Sequence, residues 1–132
     1  MTHDLERMQH FIRETLGCGC PEEVLQWIEC SHSQPVPEHS LLLTRIDVGG
    51  RLLVYVVEGD EAPESAVEAL PALVAAGLAE RDRAGFNRLR LVVASDDPET
   101  IGPLAERAFA DSAPQDDRIH LHVVAGGELP FV

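Results

Sequence analysis

Leu5, Met8, Phe11, Ile12 and Leu16 recur at three- and four-residue intervals near the start of the chain. This spacing predicts an amphipathic helix over residues 2–16, with Gly17 as a left-handed stop. A second, shorter helix is expected from Pro21, whose missing N–H costs nothing in a first turn, to about Glu29, turning Val24, Leu25 and Ile28 inward. Residues 31–40, with Pro35 and Pro37, read as a loop. Apolar runs at 41–48 and 51–57 then flank Gly49-Gly50, the signature of a two-residue hairpin turn. Their almost unbroken apolar character predicts strands covered on both faces.

A helical region follows between Ala62 and Ala84 and ends at Gly85. Ser65 and Glu68 have capping-box spacing, which would leave Pro71 as an internal kink; the alternative is a start near Pro71. Residues 88–94 read as a third strand. Asp97-Pro98 should cap a helix ending near Ala110, bent or restarted at Gly102-Pro103, and 119–124 reads as a fourth strand before Gly126-Gly127. The pattern predicts a single α/β domain over 1–132. Two N-terminal helices form an arm (1–30), and a ββαβαβ core (41–125) forms a four-stranded mixed sheet with parallel crossovers and helices packed on it.

With 132 residues the chain can bury a core without disulfides or metal. No apolar stretch approaches a membrane span, and the N-terminus lacks the basic-then-apolar pattern of a secretory signal, so a cytoplasmic protein with reduced thiols is expected. Charge narrows the chemistry further. There are 23 acidic and 10 basic residues, a formal net charge of −13, and every basic residue is arginine. The absence of lysine excludes a Schiff base, a P-loop lysine and the lysine of common metal-dependent nuclease motifs. The acidic field opposes nucleic acid and anionic lipid. It favours a basic protein partner or a metal cation; self-association as a homodimer is expected instead through the apolar side chains of the N-terminal arm.

The densest chemistry lies in Leu16-Gly17-Cys18-Gly19-Cys20-Pro21-Glu22-Glu23. Cys18, Cys20 and Cys30, all the cysteines of the chain, fall within thirteen positions, and His32 follows. Cys20 would occupy a helix N-cap, where free N–H groups favour thiolate, although Glu22 and Glu23 oppose that shift. Thiols one glycine apart can close a small, strained, easily reduced ring, which suits disulfide exchange with Cys20 attacking and Cys18 resolving. Alternatively, Cys18 and Cys20 are soft-metal ligands, for zinc or a similar ion, with Cys30 and His32 as weaker candidates. A helix from 21 to 29 would hold Cys20 and Cys30 about 15 Å apart, which opposes one four-ligand site. Cysteines at a helix junction are equally a means of packing, and then the chain reads as a non-enzymatic interaction module with Met8, Phe11, Leu25 and Trp27 buried on the sheet or on a second subunit. The segment Thr15-Leu16-Gly17-Cys18-Gly19-Cys20-Pro21-Glu22-Glu23-Val24 resembles one in small uncharacterised prokaryotic proteins, and that resemblance brings no assigned activity with it.

Two further sets follow from the strand ends. Val56-Val57-Glu58-Gly59 and Asp96-Asp97-Pro98 faintly resemble the metal-binding acids of Toprim domains. That resemblance implies Mg²⁺-dependent phosphoryl transfer with Glu58, Asp96 and Asp97 as ligands. The pattern departs from the family in the adjacency of the aspartates and in lacking an intervening strand, and capping by Asp97 is the simpler use. His120 and His122 alternate with apolar residues, so they share one face of a strand and could chelate a transition metal given a third ligand. No Gly-x-Ser-x-Gly elbow or glycine-rich dinucleotide turn is present.

Overall fold

The computed structural model describes residues 2–17, 22–36, 42–58, 63–113 and 116–130. Their backbone forms α1 (Thr2–His10), a π-helical turn (Phe11–Thr15), α2 (Glu22–Leu25), β1 (Ile28–Pro35), β2 (Leu42–Val48), β3 (Leu52–Glu58), α3 (Pro63–Ala84), β4 (Arg88–Ser95), α4 (Pro98–Ser112), β5 (Ile119–Ala125) and a 3₁₀ turn (Gly126–Glu128). One five-stranded sheet results, with the strands side by side in chain order. β1, β2 and β3 pair antiparallel, and β3, β4 and β5 pair parallel.

This is the mixed α/β sheet expected, with one strand more. The expected second helix spans only Glu22–Leu25, and the chain passes into β1 where a loop was anticipated. Ile28-Glu29-Cys30-Ser31-His32 has the alternation of a strand but little apolar content. Its order comes from the ladder to β2 (Ile28 opposite Val48, Cys30 opposite Ile46), not from its own propensity. Pro35 sits at the last position, where an edge strand tolerates a residue without an N–H. The helical arm therefore ends before residue 28.

Strand order fixes the layers. Two right-handed crossovers advancing in the same direction, β3-α3-β4 and β4-α4-β5, must lay both helices on one face. That face is a core of Leu53, Tyr55, Val57, Leu89, Leu91 and Val93 against the Ala66, Ala69, Leu70, Leu73 and Val74 stripe of α3 and Ile101 and Ala105 of α4. On the opposite face Met8, Phe11, Ile12, Leu16 and Leu25 pack on Ile46, Val48, Val54, Val56, Val92 and Val124. Gln9 Nε2 donates to Leu25 O at 3.0 Å and ties α1 to α2. β3, central and covered twice, buries Leu52 to Val57 without interruption.

Several local expectations change. The periodicity of the first helix holds, but its last turn is π-helical: Leu16 N donates to Phe11 O at 3.0 Å, five residues back. Gly17 (φ 68°) then ends it. At the hairpin, Gly49 and Gly50 both have positive φ (60° and 69°) and Arg51 N donates to Val48 O, yet Val48 pairs with Leu52, so the ladder closes around three residues. α3 is one helix from Pro63, which places Ser65 inside it and removes the capping box; Pro71 is accommodated within the helix. α4 runs unbroken through Gly102-Pro103, capped as expected by Asp97, whose carboxylate accepts from Thr100 N.

Two arginines bolt α3 to the sheet and to the segment that enters β5. Arg45 on β2 donates to Glu80 of α3 through Nε (2.8 Å) and Nη2 (2.7 Å), and Tyr55 Oη donates to the other carboxylate oxygen at 2.5 Å. Arg81, with a side chain only 4% exposed, donates to Asp116 at 2.8 Å and to Arg118 O, pinning the segment that enters β5. Burial pushes Glu80 up, but the hydrogen bonds from Arg45 and Tyr55 outweigh it and hold the carboxyl below its ordinary value.

Candidate functional site

The sequence candidates separate into four places. Cys18 and Cys20, the leading candidates, lie outside the described residues. Cys30 and His32 lie on β1, an edge strand, and alternation sends both to the same side. There they meet: Cys30 Sγ is 3.4 Å from His32 Nε2, and His32 Nδ1 is 3.2 Å from Thr44 Oγ1 on β2. The contacts are mutually consistent in one tautomer, with Nδ1–H donating to Thr44 and Nε2 accepting the thiol proton. Thr44 is buried, so the end of the relay is fixed, while Cys30 is exposed.

A nucleophile, a base and a third group orienting the base are the parts of an activated thiol. The resting state of this one is neutral: burial raises the Cys30 thiol above its ordinary value. A nucleophilic role for Cys30 would therefore require proton transfer to His32. Correcting the helix to a strand also removes the reason for separating Cys30 from Cys20, since no helical rod spans 21 to 29. Thr44 carries no motif and was missed. Only the β1–β2 register reveals it.

His120 and His122 share a face of β5, as expected, but their neighbours on β4 alter their chemistry. Arg90 Nη1 lies 2.8 Å from His122 Nε2, and Arg88 Nη1 lies 3.4 Å from His120 Nε2. Burial, then the Arg90 charge, then His120 depress the His122 imidazole to about 4. His120 is lowered by burial and by Arg90 and Arg88. Each Nε2 thus faces a guanidinium, which repels a cation. Among the described residues no three His, Cys, Asp or Glu side chains are grouped to hold a metal ion.

Glu58 and the Asp96-Asp97 pair do sit at adjacent strand ends, Glu58 opposite Ala94 in the β3–β4 ladder. Asp97 has a local use: its carboxylate caps α4 and its N–H donates to Ser95 Oγ at 3.1 Å. An open cleft of about 540 Å³ near the arm, between α1, the π turn and the 3₁₀ turn, is lined by Glu6, Arg7, His10, Phe11, Thr15 and Glu128 among others. None of Cys30, His32, Glu58, Asp96, Asp97, His120 and His122 lines it. Met8, Phe11 and Leu25 are buried as the interaction reading requires, but Trp27 is 71% exposed. No described helix is long and apolar enough to cross a membrane. Comparison with protein-family models, with curated proteins and with solved structures finds no match.

Proposed function

We propose that this protein acts through its thiols, with Cys30 as the reactive sulfur and His32 as its base. The observation that carries the reading is the 3.4 Å contact between Cys30 Sγ and His32 Nε2, oriented by Thr44. The reaction is thiol–disulfide exchange. Cys30 gives its proton to His32 and attacks one sulfur of a partner disulfide; that S–S bond breaks, and the leaving thiolate recovers the proton from the imidazolium. A second thiol, from Cys18 or Cys20, then attacks the mixed disulfide, releasing a reduced partner and leaving a disulfide in this chain. The exposed position of Cys30 on an open strand suits a disulfide carried by another protein.

Incubation with glutathione disulfide followed by intact-mass analysis tests the assignment. A glutathione adduct should accumulate on the Cys18→Ser/Cys20→Ser protein, which lacks a resolving thiol, and be absent from Cys30→Ser. An adduct that persists in Cys30→Ser and vanishes in Cys20→Ser would move the reactive sulfur to the Cys18-Gly19-Cys20 pair.

A soft-metal role is the second reading, favoured by one observation: Cys30 and His32 present a sulfur and a nitrogen together. With Cys18 and Cys20 they supply the ligand types of a closed zinc site. Stoichiometric zinc in the purified protein, lost in both Cys20→Ser and Cys30→Ser, is the result this reading requires.

A further inference from the structure

β4 and β5 present four nitrogenous side chains to the face that α1 covers only in part: Arg88 and Arg90 from one strand, His120 and His122 from the next, with Arg90 opposite His120 in the ladder. Arg90 Nη1 reaches across to His122 Nε2 and also donates to Leu16 O, both at 2.8 Å, so the end of the π-helical turn forms one wall. The open edge of β5 forms the other.

Three facts make this cluster costly as it stands. First, the chain carries 23 acidic residues, yet no described carboxylate bonds Arg88 or Arg90. Asp117 meets Arg88 through its main-chain carbonyl, which accepts at 3.2 Å. Second, Arg90 is partly buried and its Nε–H is fully buried with no acceptor among the described residues. Third, Arg90 faces Arg88 and two imidazoles, and burial with the Arg88 charge lowers its own proton affinity. A buried, unpaired donor on a cation costs several times what a surface charge does. An anion held among the four would offset the like-charge part of that cost.

We propose that Arg88, Arg90, His120 and His122 form a binding site for a phosphate group. Two guanidinium groups match the two charges of a phosphate dianion, and their planar forks suit its oxygens. The site is independent of the thiol chemistry and lies on the far edge of the sheet from Cys30.

NMR titration of the native protein with inorganic phosphate, against sodium chloride of equal ionic strength, tests the proposal. The Arg90 Nε–H and His122 ring signals should shift saturably with phosphate and not with chloride. Arg88→Gln, at an exposed position, should weaken binding about tenfold, the loss of one charge-assisted hydrogen bond. Arg88→Lys, which keeps the charge, should lose less. Phenyl phosphate shifting the same signals assigns the site to a phosphate ester, and failure of phenyl phosphate alone assigns it to free phosphate. Shifts reproduced by chloride, no saturable shift at tens of millimolar phosphate, or equal affinity in Arg88→Gln overturns it.

Discussion

Replacing Glu80 by alanine should cost this protein a large part of its stability. The carboxylate joins α3 to the sheet through Arg45 (2.7 and 2.8 Å) and Tyr55 (2.5 Å), with side-chain exposures of 26% for Arg45 and 16% for Glu80. Tyr55 is 6% exposed and has no other hydrogen bond among those described, so Glu80→Ala leaves a buried hydroxyl and a partly buried guanidinium without an acceptor. Hydrogen bonds to charged groups contribute about 1.5–3 kcal/mol each, and breaking a largely buried pair costs about 3–5 kcal/mol, so a loss of about 3 kcal/mol is expected. At about 2.1 cal/mol/K of unfolding entropy per residue, that is a fall in Tm of about 10 °C. Tyr55→Phe alone should cost about 1 kcal/mol, and the double variant should lose about 1 kcal/mol less than the two singles together. The pH dependence carries the same signature. Glu80 titrates below its ordinary value in the folded state, so its contribution is complete above the unfolded carboxyl's pKa and disappears as pH falls through the folded one. Urea unfolding of the four proteins at neutral and acid pH measures each quantity. A loss under 1 kcal/mol in Glu80→Ala, or singles that simply add, would refute the reasoning.

The remaining predictions concern the hairpin and the imidazoles. A Cβ on Gly49 would stand 2.6 Å from Val24 O, whereas one on Gly50 meets nothing within 4 Å, although both have positive φ. Gly50→Ala should therefore cost about 1 kcal/mol of backbone strain and Gly49→Ala at least about twice that in chemical denaturation, because α2 must also move. His122, depressed to about 4, is neutral in the fold where an unfolded histidine is protonated; stability should be full above about pH 6.5 and fall as pH drops toward 4. His122→Gln, which can still accept from Arg90, should flatten that slope in thermal melts; an unchanged slope would place the acid sensitivity elsewhere.

Much of this architecture was legible because local signals and packing agree. Gly49-Gly50, Gly85 and the Asp97 cap mark their turns and ends in residue type alone, and the apolar density of β3 announces a strand buried on both faces. β1 was hidden because an edge strand needs only one apolar side. Its sequence is mostly polar, and its partner residues are seven to twenty positions away along a hairpin whose register no local motif states. Pro71 and Pro103 misled for a related reason: packing of α3 and α4 on the sheet overrides a missing N–H that would break an isolated helix. The site divides the same way. Cys30 and His32 were visible as chemistry two residues apart, but the strand that aims them at each other was not. Arg88 and Arg90 alternate as plainly as His120 and His122, yet their meaning depends on β4 lying beside β5.

The central claim is that Cys30 and His32 work as one unit. The direct measurement is the rate of Cys30 modification by an aromatic disulfide across pH 5–9, in a Cys18→Ser/Cys20→Ser background, with His32 and with His32→Gln. The account predicts a rate about tenfold higher with His32 than with His32→Gln near neutral pH. Equal rates, both rising only with an ordinary thiol ionisation, would contradict it and leave Cys30 as a surface cysteine beside a histidine.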